Sequence, residues 1–270
     1  LTRIYERDGN WSKVTEFAQR VNALTPADND NGLLLVKAAL RSGDIAVARN
    51  ASIHLLRPDA PPSLVSAVLE TWADYWPSPQ RVEDARRLGA AATGQQQRLI
   101  YAAFLNRFGS PADAMRLAGP TATMPVNAAN AEANAVVADA LSRMGNIGGA
   151  KARFDAVLAF DPGNATALRG RSELELRTGS ASAAVLDAQK LVTVLPNSGR
   201  DRLLLAHAFA AAGNKAWMER TLWSAFQDIP ADETILAALQ STRKGSPEAL
   251  KDLDAEFARQ RDRMLNGGLL

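Results

Sequence analysis

Between Ala131 and Asn164 the apolar positions form two stripes. Val136, Val137, Ala140, Leu141 and Met144 recur at helical spacing, and Gly145 then breaks the pattern. Ala150, Phe154, Val157 and Leu158 form the second stripe, which Asp161-Pro162 ends. Each breaker has a physical role. Glycine tolerates the positive φ of a helix C-cap, and the Asn146 side chain offers an acceptor to open the next helix. Proline disfavours helix at the residue before it and cannot continue the hydrogen-bond ladder. The pattern predicts two helices of about 13 residues, each about 20 Å long. One such pair cannot bury its apolar faces alone. The same alternation runs along the chain, with punctuation every 34 residues at Gly9, Gly43, Pro77, Pro111, Gly145, Gly179, Gly213 and Pro247. Pro26, Pro162, Pro196 and Pro230 each follow a turn glycine by 17 residues. A fixed period with two breakers predicts an all-α stack of about seven to eight two-helix units.

The residue after each turn point, or just before its proline, repeats as well: Asn10, Asp44, Ser78, Ser110, Asn146, Ser180, Asn214 and Ser246. All are good N-caps, and Ser110 and Ser246 precede proline at the first helical position. Small residues follow at Ala48, Ala150 and Ala184, and larger apolar ones at Val21, Leu55, Val157 and Leu191. This sequence of positions resembles the tetratricopeptide repeat, most clearly in Ala131–Asn164, Ala165–Ser198 and Gly199–Asp232. Val14 and Met218 stand where that repeat has a small residue, and Glu175 where it has an aromatic one. Gly94 and Ala128 replace the closing proline in two units.

The resemblance implies a right-handed α-solenoid spanning 1–270 as a single body, with a softer boundary at 119–127. It implies that the first helix of each pair lines a concave groove. Carried over by offset from each turn, the lining comprises Leu33, Lys37 and Arg41, then Leu64 and Thr71, then Arg98 and Tyr101. Asp139 and Arg143 follow, then Arg169 and Arg177, then Arg200, Leu203 and His207. The lysine and asparagine set with which some members of the family hold carboxylate tails is not matched, because no asparagine joins Lys37. The mixed apolar and arginine lining fits a peptide or partner helix with acidic and apolar side chains. Arg169, Arg177 and Arg200, from adjacent units, are expected to face an acidic segment together.

Composition narrows the function classes. The chain has 31 basic and 29 acidic residues, a balance that gives no electrostatic case for nucleic acid. It has no cysteine and only two histidines, His54 and His207, without further ligands at helical spacing. Asp28-Asn29-Asp30-Asn31-Gly32 opens like a calcium loop but lacks the closing glutamate. No phosphate loop or nucleophile–base set is present. The expectation is therefore a non-catalytic interaction scaffold with a protein or peptide partner and no cofactor or metal. Trp11, Trp72, Trp76, Trp217 and Trp223 read mainly as core, with Tyr75-Trp76 kept as a candidate contact. No apolar run is long enough to insert in a membrane.

Two features concern the ends and the middle. Gly119–Asn127 has two prolines and no helical pattern, so the preceding helix is expected to be short, Pro111 to Ala118. Ser246–Asn266 carries Leu250, Leu253, Phe257 and Met264 on one stripe and reads as a capping helix. Leu1–Arg7 reads as the end of a helix, which suggests a fragment or processed chain. Only seven of the 31 basic residues are lysine, a bacterial coding habit. Repeat style favours an envelope or periplasmic setting over the cytoplasm, in an envelope or exopolysaccharide export assembly. The competing expectation is an interaction segment of a larger enzyme or regulator. Nothing in the sequence fixes the oligomeric state.

Overall fold

The computed structural model describes residues 2–230 and 232–266, and every regular element in them is helical. The chain divides into two compact units, Leu1–Thr123 and Met124–Leu270, with the division inside the proline-containing segment 119–127. The N-terminal unit contains α1 (Thr2–Arg7), α2 (Trp11–Leu24), α3 (Asn29–Ser42), α4 (Ile45–Leu55), α5 (Pro62–Tyr75), α6 (Gln80–Ala91), α7 (Gln95–Arg107) and α8 (Pro111–Ala118). The C-terminal unit contains α9 (Ala131–Arg143), α10 (Ile147–Phe160), α11 (Ala165–Arg177), α12 (Ala181–Val194), α13 (Gly199–Ala211), α14 (Lys215–Asp228), α15 (Glu233–Thr242) and α16 (Pro247–Asn266). Within each unit short turns join most consecutive helices into side-by-side hairpins. Each unit is an all-α, tetratricopeptide-like helical solenoid.

All eight predicted turns fall at helix breaks. Gly43 and Gly145 sit at φ +83° and +85°, a conformation that strains any residue with a Cβ. The next N–H then folds back on the helix, Asp44 to the Ala39 carbonyl at 2.8 Å and Asn146 to that of Leu141 at 2.9 Å. In the fourth pair the turn glycine is Gly109, at φ +83°, two residues before Pro111. The expected caps hold at four turns. Asn10, Asp44, Asn146 and Asn214 accept the N–H three residues on, at 3.0–3.2 Å. The serines behave differently. The Ser110 hydroxyl donates to Asp113 at 2.5 Å instead, Ser180 makes no side-chain cap bond, and Pro79 rather than Ser78 is the N-cap of α6. A hydroxyl that can donate elsewhere is a less committed cap than an amide or carboxylate oxygen. Asp28, the start of the calcium-like run, caps α3 through Asn31 N–H at 3.0 Å.

Packing follows the small and large positions. Ala48, Ala150 and Ala184 are buried, as are Leu55, Val157 and Leu191, whereas Val21 is exposed. In the N-terminal unit Trp72 is fully buried. Its indole N–H donates to Ser52 Oγ at 2.8 Å, and its ring meets Trp76 edge-on at 5.0 Å and Phe104 at 6.3 Å. In the C-terminal unit a core of Phe154, Leu168, Leu191 and Leu205 runs across α10 to α13. Gly170 lets α11 approach α10 there, since a Cβ at that position would lie 2.5 Å from Phe154 Cζ.

A second cluster joins Phe226, Ile235 and Leu239 to Leu253 of α16. Leu250 and Phe257 of α16 are half-buried, but Met264, expected on the same stripe, is exposed. Gln260 is buried there and donates to the Phe226 carbonyl at 2.9 Å. Removing α16 uncovers this cluster. A chain ending at Lys244 is expected to lose roughly 2–4 kcal/mol, about 1.5–3 kcal/mol from buried Leu253 and less from half-buried Phe257, and to self-associate. Thermal melting and sedimentation check this, and an equally stable monomer would contradict the capping role.

Candidate functional site

The expected groove residues of the N-terminal unit lie on α3, α5 and α7. Lys37 and Arg41, one turn apart on α3, share the Trp11 ring, with the ammonium 5.8 Å and the guanidinium 4.3 Å from its centroid. Arg41 also lies over Tyr75 at 5.0 Å and donates to its hydroxyl at 3.4 Å. Leu33, Leu64, Thr71 and Arg98 are half-buried, and Thr71 donates to the Ala67 carbonyl in its own helix. Lys37 and Arg98 have no carboxylate partner among the described residues.

Tyr101 departs from expectation. It is 2% exposed, and α7 approaches α6 so closely that a Cβ on Gly89 would lie 2.8 Å from Tyr101 Cβ. Burial pushes its phenol well above the ordinary value. The close approach of α7 to α6 accounts for this, since counting the offset from Gly109 instead of Pro111 moves the expected position to Leu99, which is buried as well.

In the C-terminal unit the expected residues of α9, α11 and α13 largely pair with one another. Arg143 donates to Asp139 at 2.8 Å and to Glu173 at 2.7 Å, and Arg200 reaches the other oxygen of Glu173 at 3.4 Å. Burial raises the Asp139 carboxyl above its usual value, with Arg143 opposing and Glu173 adding to the shift. Arg169 makes a two-pronged bond to Asp201, at 2.6 and 2.7 Å, and the Asp201 side chain is wholly buried. Arg177 is exposed and donates to the Ser142 hydroxyl, without a carboxylate partner among the described residues. Leu203 packs partly buried against the Phe226 cluster, and His207 is exposed. The expectation that Arg169, Arg177 and Arg200 jointly face a partner is corrected for Arg169, because that guanidinium is fixed on Asp201.

The tryptophans divide. Trp72 and Trp76 are core, so Trp76 is not the contact the sequence suggested. Trp217 and Trp223 are 48% and 38% exposed, stacked on Phe209 and Phe226, with Arg220 and Arg243 over their rings at 4.8 and 5.1 Å. Sequence reasoning also missed a register. An arginine stands two residues before Gly43, Gly109, Gly145, Gly179 and Gly245, as Arg41, Arg107, Arg143, Arg177 and Arg243. Aligning the chain on its turn glycines would have revealed it. Among the described residues no cluster of histidine and acidic side chains is placed to hold a metal, and no helix is long and apolar enough to cross a membrane.

No protein-family model and no curated protein matches the chain. Solved structures do. A MamA RS-1 ArsTM double mutant is 19% identical, with a TM-score of 0.45 over 68% of this chain and 95% of its own. PilW, a type IV pilus biogenesis factor, is 17% identical, with a TM-score of 0.38 over 94% of each chain. The human IFIT1 dimer with m7Gppp-AAAA is 13% identical, with a TM-score of 0.50 over 95% of this chain and 66% of IFIT1. At that identity the likeness shows the helical-repeat fold alone.

Proposed function

We propose that the protein is a non-catalytic scaffold that takes an extended peptide or a partner helix, acidic and apolar in character, on the faces of its first helices. The observation that carries this is what remains after internal pairing. Arg143, Arg169 and Arg200 bond to carboxylates of the same unit, whereas Lys37, Arg98 and Arg177 have none among the described residues. Leu33 lies one turn before Lys37 on α3, and Leu33 and Leu64 are both half-buried. Cations next to partly exposed apolar side chains suit a segment that alternates acidic and apolar groups. A bacterial envelope setting is part of the same proposal, supported by repeat style and the scarcity of lysine.

Peptides selected against the full chain from a display library test the reading. Enrichment in acidic and apolar residues is expected. The Lys37→Glu/Arg98→Glu variant is expected to bind those peptides about tenfold more weakly, with an unchanged circular dichroism spectrum, since two lost rim charges at up to about 1 kcal/mol each amount to at most about 2 kcal/mol. Selected peptides that bind both proteins equally would move the site elsewhere. Turnover measured on this chain alone would overturn the reading.

A further inference from the structure

Glu175 occupies the position where the repeat pattern has an aromatic ring, four residues before Gly179 on α11. Its carboxyl group lies among α10, α11 and α12, and Oε2 is shielded from water with no hydrogen-bond partner. The charged groups facing it are Lys151 and Asp155 of α10, Arg171 of α11 and Asp187 of α12. Those four are already matched. Arg171 holds Asp187 with two bonds, at 2.6 and 2.8 Å, and Asp155 with one at 2.8 Å, while Lys151 holds the other Asp155 oxygen at 2.8 Å. Two cations face two carboxylates. An ionised Glu175 adds a third negative charge and brings no cation. A protonated Glu175 leaves the cluster balanced.

The other helices packed on α11 do not alter this count. From α9 and α13, Arg143 and Arg200 address Glu173, Asp201 addresses Arg169, and Asp139 pairs with Arg143. Those two residues lie two positions from Glu175 and Arg171, about 200° around the helix. We propose that Glu175 makes the joint between the helix pairs α9–α10 and α11–α12 proton-sensitive, tight when its carboxyl is neutral and loosened when it ionises. Burial first, and the Asp187 charge second, push this carboxyl up to about 7, so the change falls near neutrality. The folded-state value lies above the roughly 4.3 of an unfolded glutamate. The group's contribution to stability is therefore complete below about pH 4 and is lost as pH rises through about 7.

Two measurements on the full chain test this. In a carbon-13 NMR titration of the glutamate side-chain carboxyls, Glu175 is expected to titrate near 7. In thermal melts between pH 5.5 and 8.5, the wild-type midpoint is expected to fall while that of Glu175→Gln changes far less. The two proteins differ only at this side chain, so the difference between the two slopes isolates Glu175. Hydrogen exchange in α10 to α12, corrected for intrinsic rates, should quicken at pH 8.5 in the wild type only. A Glu175 midpoint near 4.3, or equal slopes in the two proteins, overturns the proposal. Should the glutamine variant fail to fold, the carboxyl titration of the wild type decides alone.

Discussion

Trp72→Ala is expected to destabilise the N-terminal unit by about 3–5 kcal/mol, the range for deleting a large aromatic from a close-packed site. The ring is fully buried between α4 and α7 and makes edge contacts with Trp76 and Phe104. Its loss also strands the Ser52 hydroxyl oxygen. That hydroxyl goes on donating to the Ala48 carbonyl at 2.8 Å but no longer receives the indole N–H. Trp72→Phe should cost less, since it keeps most of the volume and loses only the N–H. Urea denaturation followed by circular dichroism is the suitable measurement, because the substitution removes a fluorophore. A transition belonging to the C-terminal unit should not move. A cost below about 1 kcal/mol would mean that the site collapses around the gap, contrary to the packing described.

The second large effect is expected from Arg169→Ala, at about 3–5 kcal/mol in the C-terminal unit, the usual cost of removing one partner of a buried ion pair. The substitution leaves Asp201 without solvent and without its two-pronged partner. The pair as a whole contributes much less. Replacing both with leucine, Arg169→Leu with Asp201→Leu, should recover most of the loss, because it removes the stranded charge. Denaturation of the single and double variants separates the two terms. A single variant as stable as the wild type would mean that Asp201 reaches water. The same experiment guards the binding tests, since a variant that includes Arg169 confuses loss of a contact with loss of the fold.

Sequence periodicity carried the architecture because each turn requires a residue of special backbone chemistry, and such residues leave a mark whatever surrounds them. Gly43 and Gly145 are visible for that reason. The site was less legible. Offsets place a side chain on a helix face but do not report how closely the neighbouring helix packs there, and Tyr101 is buried where α7 meets α6. Nor can spacing tell a binding arginine from a structural one. Arg169 and Arg177 stand at lining positions eight residues apart on one helix, yet one meets a buried carboxylate from α13 and the other a serine hydroxyl from α9. That choice is made by residues about 32 to 35 positions away, in the neighbouring pair. Glu175 was legible as a departure from the repeat, but its missing partner was not.

The arginine register before the turns bears on how freely such a chain can be shuffled. Arg41 lies between Trp11 and Tyr75, Arg107 holds Glu70, Arg143 holds Glu173, Arg177 meets Ser142, and Arg243 covers Trp223. The donor is constant, and its receptor is supplied each time by a different neighbour, as ring, acid or hydroxyl. The helix pairs are thus alike in outline and unlike in their couplings. Transplanting one pair into another slot would deliver a guanidinium to a receptor made for a different chemistry, so the pairs behave as keyed segments and the order of the chain is written into its seams.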